Sequence, residues 1–270
     1  MMAKIRVGEL DVHVQLMPAA GPPADEPPPL VVLVHGLLID SLASYYFSLG
    51  PAFAERGMDV LMYDLRGHGR TTRPATGYRL EDFVADLDGL FAALGKDRPA
   101  HLVGNSFGGA IAYALAAAHP DRVRSVVAIE SEPPVTSWAK KMAEGLTGED
   151  GGLVVKEVRT WLSGDPERNA RPFQLAGRIL DETTLAEDIP RSRVLDDGLA
   201  DIRCPVFALY GAESKLSGQA GKLASTLAHC RTVVLPDLGH SVLVERTKET
   251  AELLLDWLED DIHTPLKAGQ

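Results

Sequence analysis

Apolar residues recur along this chain with two different periods. The stretch KIRVGELDVHVQLM (4–17) alternates apolar and polar positions around Gly8-Glu9, which predicts an N-terminal hairpin. The proline-rich segment PAAGPPADEPPP that follows is a surface loop, because its prolines and glycines suit neither a helix nor a ladder. LVVLVH (30–35) is apolar throughout and rich in β-branched residues, the pattern of a strand buried on both faces of a parallel sheet. Runs of the same kind return as DVLMYD (59–64), AHLVGN (100–105), SVVAIE (125–130), PVFALYG (205–211) and RTVVLP (231–236).

Helical periods separate most of these runs. In LEDFVADLDGLFAALG, residues Leu80, Phe83, Val84, Leu87, Leu90, Phe91 and Leu94 share one helical face and Gly95 stops the helix. SFGGAIAYALAAAHP and TKETAELLLDWLED behave likewise. Strands alternating with helices predict an α/β domain with a doubly covered, mostly parallel sheet. The rhythm fails between Glu132 and Cys204, an interval with scattered aromatics (Trp138, Trp161, Phe173) and no strand-like run. A structureless loop of that length would be unusual, and LVVKEVRTWL (153–162) keeps a helical apolar face, so short helices inserted above the sheet are expected. The predicted organisation is a core of residues 1–132 and 201–270 with a helical cap at 133–200.

Composition narrows the partners. With 270 residues, 45% of them hydrophobic, the chain can bury a sizeable core as one domain. Its 38 acidic residues exceed its 27 Lys and Arg, a formal charge of -11 that disfavours nucleic acid and anionic membrane as partners. Cys204, beside a proline before a strand-like run, and Cys230, at the end of a predicted helix, read as reduced packing residues. The N-terminus lacks a signal-peptide core, and no apolar run reaches the roughly twenty residues that span a bilayer. The expected protein is soluble and cytoplasmic, a monomer or homodimer.

Chemistry concentrates where the strand AHLVGN meets the helix SFGGAIAYALAAAH. Ser106 stands at that junction, flanked by Gly104 and Gly108 as G-x-S-x-G. A strand-to-helix turn this sharp leaves no space for side chains two positions on either side, and it sets the hydroxyl at a helix N-terminus, where free N–H groups favour developing negative charge. A serine hydroxyl is a poor nucleophile near neutral pH and needs a base within hydrogen-bond reach. Of the eight histidines, His240 is the best placed, in a glycine-flanked loop between the last strand and the last helix. No metal cluster, dinucleotide fingerprint or phosphate loop accompanies these residues, so no metal and no cofactor are expected.

In these motifs the sequence resembles the α/β-hydrolase superfamily, specifically its serine-nucleophile, esterase- or thioesterase-like members with a cap. VLVHG (32–36) is similar to the strand and His-Gly turn of the family's oxyanion hole, YDLRGHGRT (63–71) to its Asp-x-x-Gly-x-Gly turn, and LPDLGHSVLVE (235–245) to its terminal histidine loop. The resemblance implies an α/β-hydrolase fold with Ser106 as nucleophile and His240 as base. It places the oxyanion donors at the backbone N–H groups of Leu37 and Phe107. Leu38, Trp138 and Trp161 are the expected substrate-pocket residues, while His35, His68 and His101 are expected to serve turn geometry and packing.

The third triad member departs from the pattern. The family's acid usually stands three residues beyond the glycine of PVFALYG, where this chain has Ser214; Glu213 is one residue early and Lys215 one late. A second location known in the superfamily is the end of the strand after the nucleophile helix, which here holds Glu130. Glu130, Glu213 and the absence of a working acid remain three open alternatives. The resemblance implies a hydrolase acting on a small-molecule acyl substrate, an ester, thioester or lactone, through an acyl-enzyme. Serine at the elbow argues against epoxide hydrolase and haloalkane dehalogenase chemistry, which use aspartate there. A slow or non-hydrolytic receptor-like or cyclase-like protein is the alternative that a missing acid would favour.

Overall fold

The computed structural model describes residues 2–21, 26–148, 171–196 and 198–263. The strands are β1 (Met2–Val7), β2 (Leu10–Met17), β3 (Leu30–Val34), β4 (Asp59–Tyr63), β5 (Ala100–Asn105), β6 (Val123–Ile129), β7 (Val206–Gly211) and β8 (Cys230–Leu235). They form one eight-stranded sheet in the order β1-β2-β4-β3-β5-β6-β7-β8. The β1–β2 hairpin and the β2–β4 pair are antiparallel, and all pairs from β4 through β8 are parallel. The described helices are α1 (Ala43–Tyr46), α2 (Leu49–Glu55), α3 (Leu80–Ala93), α4 (Phe107–Ala118), α5 (Thr136–Thr147), α6 (Arg171–Glu182), α7 (Leu185–Asp188), α8 (Gln219–Thr226), α9 (Val242–Glu245) and α10 (Thr247–His263).

The continuous apolar runs have a direct cause. Successive strand side chains point to opposite faces, and here both faces carry a core. Leu30, Val32 and Val34 of β3 join one cluster while Val31 and Leu33 join the other; Val126 and Ala128 of β6 oppose Val127 and Ile129 in the same way. The first cluster is completed by the predicted apolar face of α3 (Leu80, Phe83, Val84, Leu87, Leu90, Phe91) and by α4. The second is closed by Leu49 and Phe53 of α2 and by Leu254, Leu255 and Trp257 of α10. Polar substitution in a central strand would therefore be buried whichever way it faced.

Strand order also places the site. From β3 the chain crosses to β4 on one side, then returns to β5 on the other and proceeds outward through β6, β7 and β8. Beyond the carboxyl ends of β3 and β5, where the connections diverge, an open α/β sheet forms its natural crevice. The Gly36-Leu37 loop leaves β3 there and Ser106 leaves β5. Cys230 opens β8 rather than ending a helix, since the preceding helix α8 stops at Thr226. Both cysteines are free, as expected. In the interval predicted to be helical, α5, α6 and α7 are present; Trp161 and the segment 153–162 lie outside the described residues.

Candidate active site

Ser106 has φ 52° and ψ −118°, a conformation that strains any residue with a Cβ. The turn is held by the Ser106 N–H donating to the Ile129 carbonyl at 2.9 Å and by the Gly109 N–H donating to the Ser106 carbonyl at 3.0 Å. The two flanking glycines are required by close approach. A Cβ on Gly104 would lie 2.4 Å from backbone atoms of Gly108 and Gly109, and one on Gly108 would lie 2.0 Å from the Val34 carbonyl oxygen. Strand β5, helix α4 and the end of β3 thus meet backbone to backbone beneath the serine.

His240 follows β8 and is brought back over this turn. Its Nε2 lies 3.3 Å from Ser106 Oγ and its Nδ1 lies 3.0 Å from Glu130 Oε2. An ionised carboxylate only accepts hydrogen bonds, so Nδ1 carries the proton and the Nε2 lone pair faces the serine hydroxyl. The 3.3 Å separation is long but within the range of unliganded sites.

Glu130 sits one residue past β6 with φ 47° and is fully buried. A buried carboxylate without partners would cost several kcal/mol, roughly, and here three donors surround it. The Gly211 N–H donates to Oε1 at 2.5 Å, the Ser214 hydroxyl donates to Oε2 at 2.5 Å, and His240 Nδ1 donates to Oε2 at 3.0 Å. Of the two carboxylates weighed from the sequence, only Glu130 reaches the imidazole. Glu213 is exposed, its backbone N–H spent on the Leu238 carbonyl. Ser214 was legible only as the place where the acid is missing; its partnership with Glu130 is a contact the sequence did not reveal.

The Leu37 and Phe107 N–H groups have no acceptor among the described residues. Phe107 opens α4, so its amide has no carbonyl one turn earlier in the helix. The loop carrying Leu37 is pinned on either side: the Gly36 N–H donates to Asp40 Oδ2 at 2.8 Å, and the Leu38 N–H donates to His68 Nε2 at 2.9 Å. Leu38 itself has φ 65°. Burial, then the neighbouring His35, push the His68 imidazole down to about 3, so it stays neutral and free to accept that N–H. His35 accepts the Leu65 N–H at 3.0 Å, and His101 pairs with Ser125 Oγ at 2.7 Å. These three histidines hold loops and strands, as the sequence suggested.

Phe107 also links the site to the inserted interval. Its ring stacks on Trp138 of α5 (centroids 6.2 Å apart, 24° between planes) and meets Phe83 of α3 edge-on at 5.1 Å. A cavity of about 410 Å³ opens beside the Leu37 loop, lined by Leu38, Tyr46, Phe47, His13, Asp64 and Leu175 among others. Leu38 faces it, whereas Trp138 and Ser106 are not part of its wall; the cavity lies toward β2 and β4, to one side of the serine. Among the described residues no cluster of side chains is suited to hold a metal, and no helix is long and apolar enough to cross a membrane.

Comparison with known proteins agrees with this architecture. Residues 29–150 match the family model of the alpha/beta hydrolase fold. The 2-(acetamidomethylene)succinate hydrolase of Mesorhizobium japonicum is 29% identical over 232 residues, 79% of this chain and 82% of that protein. Epoxide hydrolase B of Mycobacterium tuberculosis is 38% identical over a shorter stretch of 112 residues, 41% of this chain and 31% of that one. Among solved structures, the esterase EaEST from Exiguobacterium antarcticum aligns with a TM-score of 0.75 at 18% identity, covering 96% of this chain and 100% of its own. With a mostly parallel eight-stranded sheet, a strained serine between β5 and α4, and a family-model match over residues 29–150, the chain has the α/β-hydrolase fold, and hydrolases are among its relatives.

Proposed function

We propose that the protein is a serine hydrolase that cleaves an ester, thioester or lactone of a small to medium, largely apolar acyl compound through an acyl-enzyme. One observation carries the reading: Ser106, His240 and Glu130, from three separate segments, form a continuous hydrogen-bonded chain of 3.3 and 3.0 Å. Ser106 Oγ attacks the acyl carbon while its proton passes to His240 Nε2, and Glu130 stabilises the imidazolium. The new oxyanion accepts the N–H groups of Leu37 and Phe107. His240 then protonates the leaving oxygen or sulfur, and water repeats the sequence to release the acid. The interval 133–200 would act as a cap over the site, with Trp138 packed on Phe107 and Leu38 facing the cavity beside it.

The relatives lend support by their own chemistry: a hydrolase of 2-(acetamidomethylene)succinate and an esterase share the fold. An epoxide hydrolase is also among them, but serine at the elbow and a base aimed at it favour acyl transfer. A receptor-like protein is what an incomplete acid would suggest; Glu130 in contact with His240 speaks for turnover instead.

The test is partitioning of the intermediate. An ester and a thioester of one acyl group, hydrolysed in the presence of hydroxylamine, should give the same ratio of hydroxamate to acid, because both pass through one acyl-enzyme. A ratio that changes with the leaving group contradicts a common covalent intermediate.

A further inference from the structure

We propose that Ser214 is a positioning residue for the catalytic acid: its hydroxyl holds the Glu130 carboxylate in the rotation that presents Oε2 to His240. The inference rests on the acyl-transfer reading, in which His240 is the base.

The hydroxyl's direction is determined by its neighbours. The Leu216 N–H donates to Ser214 Oγ at 3.1 Å, which occupies the acceptor side of that oxygen and leaves its proton for Glu130 Oε2 at 2.5 Å. Ser214 is itself buried, so water does not compete for either bond. Oε2 receives both Ser214 and His240, while Oε1 receives only the Gly211 N–H. Glutamate reaches the imidazole through three rotatable side-chain bonds, and the backbone amide of Gly211 fixes only one end of its carboxylate. Removing the hydroxyl leaves Oε2 free to turn away from Nδ1, and removes one of three donors from a fully buried charge.

The same geometry makes the acid movable. Ser214 Oγ is within hydrogen-bond distance of the oxygen that touches His240, so a carboxylate at position 214 would extend toward the imidazole. Ser214→Asp alone places two carboxylates at one imidazole, where like charges oppose each other. Combined with Glu130→Gln, it exchanges the roles: the amide at 130 donates, and the carboxylate at 214 accepts from His240.

The full-length chain and the variants Ser214→Ala, Ser214→Thr, Glu130→Gln and Glu130→Gln/Ser214→Asp are compared on one activated ester, alongside the rate of fluorophosphonate labelling at Ser106. Ser214→Ala should lower kcat about tenfold to a hundredfold with KM nearly unchanged, and Ser214→Thr should restore it to within about threefold. The double variant should turn over at least about tenfold faster than Glu130→Gln alone. A Ser214→Ala enzyme with wild-type kcat and labelling rate overturns the proposal, as does a double variant no faster than Glu130→Gln. Should the alanine variant not fold, the double variant decides. A wild-type chain that does not label at Ser106 defeats the acyl-transfer reading instead, so the two failures are distinct.

Discussion

Replacing Glu130 by glutamine is expected to lower turnover of an activated ester by on the order of 10⁴, or roughly 5 kcal/mol of transition-state stabilisation. The substitution keeps the shape of the side chain and removes its charge. In the wild type the carboxylate accepts from His240 Nδ1 and so fixes the tautomer whose Nε2 lone pair faces Ser106. An amide can instead turn its NH₂ toward Nδ1, which favours the opposite tautomer and leaves Nε2 protonated and unable to take the serine proton. Glutamine also offers no charge to balance the imidazolium formed during attack. Glu213→Gln is the internal control: its side chain is exposed and outside the network, so turnover should stay within about twofold. A drop confined to Glu213→Gln would move the acid to the later loop.

Gly108→Ala should cost more than about 3 kcal/mol of stability, with activity lost alongside. The added Cβ would sit 2.0 Å from the Val34 carbonyl oxygen and 2.7 Å from that of His35. Both are backbone atoms, so no side-chain rotation relieves the overlap; α4 must separate from the end of β3, opening the crevice between Ser106 and the Leu37 loop. Gly218→Ala is the matched control, since Gly218 has φ −64° and its Cβ would meet nothing within 4 Å. Denaturant unfolding should therefore give a much lower midpoint for Gly108→Ala and a near-native one for Gly218→Ala. Equal midpoints would show that the packing beneath the elbow is looser than the contacts imply.

These two expectations also mark where the sequence was legible and where it was not. The core strands announced themselves because both their faces are buried, so burial erased the usual alternation and left continuous apolar runs such as LVVLV at β3. The elbow was readable because its glycines and serine stand within five residues of one another, although the contact that requires Gly108 comes from the distant end of β3. The acid was harder. Glu130 and Ser214 are 84 residues apart and meet only because β6 and β7 are neighbours in the sheet, with Val126 opposite Val206 and Ile129 opposite Leu209. One-dimensional spacing could show that position 214 lacked a carboxylate, but not that its hydroxyl would face the carboxylate of Glu130. The lining of the cavity beside Leu38 was hidden for the same reason. Trp138 was expected at the substrate wall and packs on Phe107, whereas the cavity beside Leu38 draws on His13, Asp64 and Phe47, whose convergence depends on strand β2, the turn after β4 and the link between α1 and α2. Short helices α1 and α2 carried too few turns to display a periodic face.

The most direct test of the account is the identity of the residue that becomes covalently modified. The folded chain is incubated with a fluorophosphonate, and the adduct is located by intact mass and peptide fragmentation. One adduct per chain, on Ser106, absent from Ser106→Ala and strongly slowed in Glu130→Gln, is the predicted result. An adduct on a different residue, or an enzyme that hydrolyses an activated ester at full rate as Ser106→Ala, contradicts the account.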